Sequence, residues 1–183
     1  VTLIILLGGT LRFFEIGQKT VWLDEAFSIW IANHPLLDLW GWLIHIDQHP
    51  PLYYTLLYFW QTLFGDLQGT VRALSALFST AAIGFIYGGT RHLIDQRTAL
   101  IAAFILAISP FHINFAQETR MYALLAMVVA AAYYYLSIIL TCEPTQSGRG
   151  TAPRWAWVGF AVSQAAVMLT HNTCLLYTSD AAD

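Results

Sequence analysis

Residues 122–140 read YALLAMVVAAAYYYLSIIL, nineteen positions without one charged side chain. A helix needs about 20 apolar residues to cross the hydrocarbon core of a bilayer, and this run is close to that length. The same reading extends to residues 71–89, 98–114 and 155–171. Residues 1–14 are apolar from the first position and read as the last part of a further span. With the run at 122–140 drawn out to about 120–140, five spans result. Composition agrees, since 57% of the 183 residues are hydrophobic and only 10% are charged, with a mean hydropathy of +0.58. A soluble domain carries about 25% charged side chains, so a water-soluble globular protein is excluded. The chain reads as an all-α polytopic membrane protein. A net charge of -3 and the absence of a basic run exclude nucleic-acid binding.

Arginine placement orients the spans, because basic residues in short loops stay on the cytoplasmic side. Arg91 and Arg97 lie in one such loop, Arg149 and Arg154 in another. The segment 15–70 carries Lys19 against Glu15, Asp24, Glu25, Asp38, Asp47 and Asp66, and is expected on the extracytoplasmic side. Within it, residues 52–64 are too short to span. They interleave Tyr53, Tyr54, Tyr58, Trp60 and Gln61 between Pro51 and Gly65, which predicts an interfacial helix. All seven tryptophans lie outside the span centres, where an amphipathic ring prefers to sit. Asp24 is placed to cap a short helix through Ile31, stopped by Asn33-His34-Pro35. Pro110, after Ser109, is expected to kink or end the third span. Gly8-Gly9 and Gly88-Gly89 read as helix-packing positions.

Both ends of the chain suggest a fragment. Residues 174–183 (CLLYTSDAAD) resemble the translation of a sequencing-library adapter and are set aside from fold reasoning. Cys142 is then the sole cysteine, so neither an intramolecular disulfide nor a cysteine metal site is expected.

Three groups of residues can carry chemistry. Trp22-Leu23-Asp24-Glu25 places two carboxylates just beyond a span, suited to a general base or a metal, or equally to a helix cap with a first-turn acid. Asp47-Gln48-His49-Pro50-Pro51 sets two ionisable groups before a rigid double proline; Asp47 and His49 could join Asp24 around zinc or manganese, or form a solvated loop. Arg12, Arg72 and Arg120 stand at outer span edges, on the face that basic residues avoid. They call for an anionic partner such as a lipid phosphate, unless they snorkel or pair locally, as Glu118 could with Arg120. His112 and His171, also near outer span ends, read as packed or solvated.

Taken in order, Trp-Leu-Asp-Glu, His-Pro-Pro-Leu-Tyr-Tyr, Leu-Phe-Gly-Asp with Arg72 following, Ser-Pro, and Gln117-Glu118-Thr119-Arg120-Met121-Tyr122 resemble glycosyltransferase family 39. These are membrane enzymes of the GT-C type, related to protein O-mannosyltransferases and to the lipid A aminoarabinose transferase. The resemblance covers residues 1–173 and implies the N-terminal transmembrane region of such an enzyme, with interfacial helices in the first extracytoplasmic loop. It implies a polyprenyl phosphate-linked sugar donor, a protein or lipid hydroxyl as acceptor, and inversion at the anomeric carbon. Asp24 would be the catalytic base with Glu25 assisting, and Arg72 and Arg120 would hold the donor phosphate. His49, Asp47 and Tyr122 would contact acceptor, donor or a divalent metal (Mg, Mn or Zn). Gln48-His49 departs from the Glu-Lys pair of the aminoarabinose transferases, so their zinc site does not carry over. The implied setting is a multi-pass protein of an inner or plasma membrane with its site on the extracytoplasmic face. The competing class is a transporter or lipid flippase. That would place ionisable groups near span centres, and these centres are nearly free of charge.

Overall fold

A computed structural model describes residues 1–43, 50–142 and 152–171. The described residues form helices and no strand: α1 (Thr2–Phe13), α2 (Leu23–Ala32), α3 (Leu36–Trp42), α4 (Leu52–Phe64), α5 (Gln68–Leu93), α6 (Gln96–Ile108), α7 (Pro110–Ala116), α8 (Tyr122–Thr141) and α9 (Arg154–Met168). Of these, α5 and α8 are long and apolar enough to cross a membrane, and α6 with α7 make a third candidate broken by a 57° bend. The chain is an all-α membrane protein.

Local chemistry explains the boundaries. Asp95 caps α6 by accepting from the Thr98 amide at 2.6 Å. The break before α7 lies at Ser109-Pro110, where proline supplies no N–H to the helix and Ser109 Oγ accepts from the His112 amide instead. At 13 residues, α4 is about 20 Å long, short of the roughly 30 Å core. It follows Pro51 and ends at Gly65, whose φ of 85° is open to glycine at little cost. One expectation needs correcting. Trp22, not Asp24, is the N-cap of α2, so Asp24 and Glu25 both lie in its first turn and Asp24 caps nothing.

Between α5 and α9 lies α8, which meets both through tyrosine rings seated on glycines. A Cβ on Gly88 would stand 2.8 Å from the Tyr134 ring, one on Gly159 2.5 Å from Tyr135, and one on Gly89 would overlap Tyr133. The Tyr133 hydroxyl is held against Thr90 Oγ1 at 3.2 Å, so its ring is not free to swing away.

On the far side of α5, α1 and α6 are joined by Arg12, which is fully buried. Its guanidinium donates to Ser79 Oγ at 2.7 Å, to the Gly8 and Ala107 carbonyls at 2.9 Å, and to the Leu106 carbonyl at 3.0 Å. The last two are carbonyls that the break at Pro110 leaves without helical donors. Ser79 Oγ also bonds His112 Nδ1 at 2.8 Å, which packs that histidine into the helix junction. The anionic partner expected for Arg12 is therefore replaced by backbone carbonyls of a broken helix.

Gly89→Ala should lower the thermal midpoint of the detergent-solubilised protein, through overpacking of about 1–3 kcal/mol. Gly84→Ala, whose methyl would meet nothing nearer than Ile5 at 3.9 Å, should leave it unchanged or raise it. Equal midpoints for the two variants would show that the α5–α8 seam does not depend on Gly89.

Candidate active site

The first turn of α2, the first turns of α5 and the turn joining α7 to α8 converge on Glu25. This carboxylate is 1% exposed. Arg72, as deeply buried, grips it with Nε on Oε1 at 2.9 Å and Nη2 on Oε2 at 2.7 Å. Such a parallel fork is the strongest geometry for a guanidinium and a carboxylate. The remaining donors of Arg72 go to the carbonyls of Ile16 at 3.1 Å, Lys19 at 2.8 Å and Thr20 at 3.2 Å. All five of its N–H groups are thus engaged within the protein, and none is left for a phosphate.

Glu25 Oε1 also accepts the backbone N–H of Thr119 at 2.8 Å. Burial pushes the Glu25 carboxyl up, but the hydrogen bonds from Arg72 and the Thr119 amide, with the charge of Arg72, pull it down further. It sits below the usual carboxylate range. Glu25 is therefore a buried clamp that stays charged at neutral pH, not a group facing open space.

The clamp fixes two neighbours. Asp24 precedes Glu25 and keeps its side chain 44% exposed, while Arg120 follows Thr119 with its side chain 8% exposed. Arg120 Nη2 lies 3.6 Å from Asp24 Oδ2, close enough for strong attraction but beyond hydrogen-bond length. The Tyr122 ring lies beneath the guanidinium, its centroid 5.9 Å from Cζ. The backbone of this turn has a second tether: Ser75 Oγ donates to the Arg120 carbonyl at 3.4 Å, and Tyr53 O–H bonds Ser75 Oγ at 3.1 Å. Burial pushes the Tyr53 phenol up, so it stays a neutral donor.

Glu118 does not pair with Arg120. Its Oε1 accepts from Asn114 Nδ2 at 2.8 Å, and Asn114 Oδ1 in turn accepts from Lys19 Nζ at 3.1 Å. Burial, and then the charge of Glu25, push the Glu118 carboxyl up. Beyond Tyr122, an apolar groove of about 410 Å³ opens between α7 and α8, lined by Phe111, His112, Phe115, Tyr122, Leu125 and Val129 among others.

Five of the residues singled out from the sequence are therefore brought together: Asp24, Glu25, Arg72, Arg120 and Tyr122. Asp47 and His49 lie outside the described residues. Thr119, Ser75 and Tyr53 belong to the same cluster; Thr119 and Tyr53 stand inside two of the quoted motifs without being singled out there, and Ser75 carries no sequence signal. No group of three or more metal-ligating side chains forms among the described residues. Asp24 and Glu25 each face a guanidinium.

Since the folded pKa of Glu25 lies below its unfolded one, its contribution to stability is whole above the unfolded carboxyl value of about 4.3. It is lost as pH falls through the folded value. Glu25→Gln should cost about 3–5 kcal/mol, because it strands the buried charge of Arg72, and should flatten the acid limb of the stability profile. Acid denaturation followed by a thermal-shift dye checks both; a variant with an unchanged acid limb would mean that Glu25 is not charged in the fold.

A family model described as dolichyl-phosphate-mannose-protein mannosyltransferase matches residues 48–179. That range takes in Arg72, Thr119, Arg120 and Tyr122, begins after Asp24 and Glu25, and runs into the stretch set aside at 174–183. No curated protein and no solved structure matches the chain. With most of its length aligned to that model, and with a helical membrane fold that carries the arginine-centred cluster, the chain belongs to the dolichyl-phosphate-mannose-protein mannosyltransferase family of glycosyltransferases.

Proposed function

We propose that the chain carries the reacting face of a glycosyltransferase that moves a sugar from a polyprenyl phosphate to a protein or lipid hydroxyl, with inversion. The family description names a dolichyl phosphate-linked mannose, a donor of this chemical class. The observation that carries the reading is the pairing of a half-exposed carboxylate, Asp24, with a nearly buried guanidinium, Arg120, across 3.6 Å.

In the proposed reaction the acceptor hydroxyl gives its proton to Asp24 as its oxygen bonds the anomeric carbon. The bond from that carbon to the phosphate oxygen breaks on the opposite face, and the electron pair leaves with the phosphate. Arg120 stabilises the added negative charge from a site with little water, where such stabilisation is strongest. Glu25 and Arg72 are positioning residues, tying the base to the arginine through the Thr119 amide. The apolar groove beside Tyr122 suits an isoprenoid chain whose head group lies at Arg120.

The membrane side follows from charge. The cluster stands at the N-terminal ends of α5 and α8, whereas Arg91 stands at the C-terminal end of α5, Arg97 at the start of α6 that follows it, and Arg154 at the start of α9 that follows α8. Basic residues favour the cytoplasm, which supports an extracytoplasmic site in an inner or plasma membrane.

Asp24→Asn should reduce transfer of labelled sugar from a polyprenyl phosphate donor by about 10²–10⁴-fold, with protein level and thermal midpoint retained. Transfer at the wild-type rate would remove Asp24 from the chemistry.

A further inference from the structure

Two polar atoms at the site are buried without a partner among the described residues: the hydroxyl of Thr119 and the Nε of Arg120. The residues are 1% and 6% exposed, so bulk water does not satisfy them. A buried hydroxyl or guanidinium N–H left unbonded is unfavourable and uncommon in folded proteins. The amide N–H of Thr119 already holds Glu25 Oε1 at 2.8 Å, and that bond fixes the residue one position before Arg120 and beside the Asp24 pair.

We propose that Thr119 is a ligand-contacting residue: its hydroxyl and Arg120 Nε–H donate to oxygens of a phosphate group. The choice of an oxyanion follows from the pairing. A hydroxyl alone would serve any acceptor, but a second unsatisfied donor bearing a full positive charge favours negatively charged oxygen. The inference rests on the proposed donor class and adds a recognition residue outside the acidic pair and the arginines. Its phosphate could belong to an isoprenoid lipid or be free in solution.

The orphaned hydroxyl gives a clean test. Thr119→Val keeps the side-chain shape and removes only a group that has no partner among the described residues, so the thermal midpoint of the ligand-free, full-length protein should be unchanged or higher. Binding of farnesyl phosphate, measured by calorimetry in detergent, should weaken by about tenfold in this variant, the loss of one charge-assisted hydrogen bond. Thr119→Ser should bind close to wild type. Farnesol, which lacks the phosphate, should be insensitive to both changes.

Thr119→Val binding farnesyl phosphate as wild type does would overturn the assignment and leave the donor class standing. Wild type failing to bind it would overturn both. A markedly lower midpoint for ligand-free Thr119→Val would mean that the hydroxyl has a structural partner, and would also overturn the assignment. Inorganic phosphate binding as tightly as farnesyl phosphate, with the same dependence on Thr119, would support the contact and identify free phosphate as its source.

Discussion

The fork between Glu25 and Arg72 is the contact on which the site depends. It draws together residues 47 positions apart, and through the three carbonyls on Arg72 and the amide on Glu25 it also holds residues 16–20 and Thr119. A buried ion pair gains little net stability, because the cost of stripping two charges of water nearly offsets their attraction. Its value here is geometric. A hydrophobic pair of the same volume would leave three loop carbonyls and one turn amide without partners, and the start of α2 would lose its closest hold on the turn before α8. Asp24 and Arg120 flank that clamp in sequence, so their separation is set by it.

Three arginines at one end of the bundle meet three different environments, and counting acceptors separates their roles. A guanidinium out of water needs partners for five N–H groups. Arg72 finds all five in the protein. Arg12 donates to four acceptors, two of them carbonyls exposed by the break at Pro110. Arg120 has Asp24 at 3.6 Å, an aromatic face, and an Nε with no partner. Arg72 is wholly consumed by structure, and Arg12 is consumed but for one N–H. Arg120, with an orphaned Nε beside the half-exposed Asp24, has bonding capacity to spare at the site, which supports giving the proposed phosphate role to it and not to Arg72.

Much of this architecture is legible in the sequence, because the signals that place helices are local. The uncharged run at residues 122–140, Pro51 and Gly65 around α4, and Ser109-Pro110 at the break each act within a few positions, and the helices begin and end near them. The family resemblance, too, rests on short ordered motifs. What escapes is whatever depends on partners far along the chain. Asp24 and Glu25 look interchangeable as adjacent acids, yet the amide that separates their roles belongs to Thr119, 94 residues on. Charge alone calls for an anionic partner for Arg12 and Arg72; Arg72 finds it in Glu25, 47 residues away, while Arg12 is met by backbone carbonyls that leave no mark on composition. Ser75 and Tyr53 join the site for the same reason, through a hydrogen-bonded chain that only the folded arrangement brings together.

The division between the two acids also bears on how the proposed displacement keeps its charges balanced. Successive residues on a helix point about 100° apart, so one of two adjacent carboxylates can be sealed against a cation while the other stays accessible. Glu25 is sealed and keeps its charge. Asp24, half exposed, is the one that takes the acceptor's proton in the proposed reaction. When it does, the attraction that holds Arg120 toward it disappears, and at that same moment negative charge grows on the departing phosphate. The guanidinium thereby exchanges one anion for another without any change in the net charge of the pocket. The exchange requires that the neighbouring pair remain inert, since a second carboxylate able to titrate would compete for both the proton and the arginine. The full hydrogen bonding of Glu25 by Arg72 and Thr119 removes that competition.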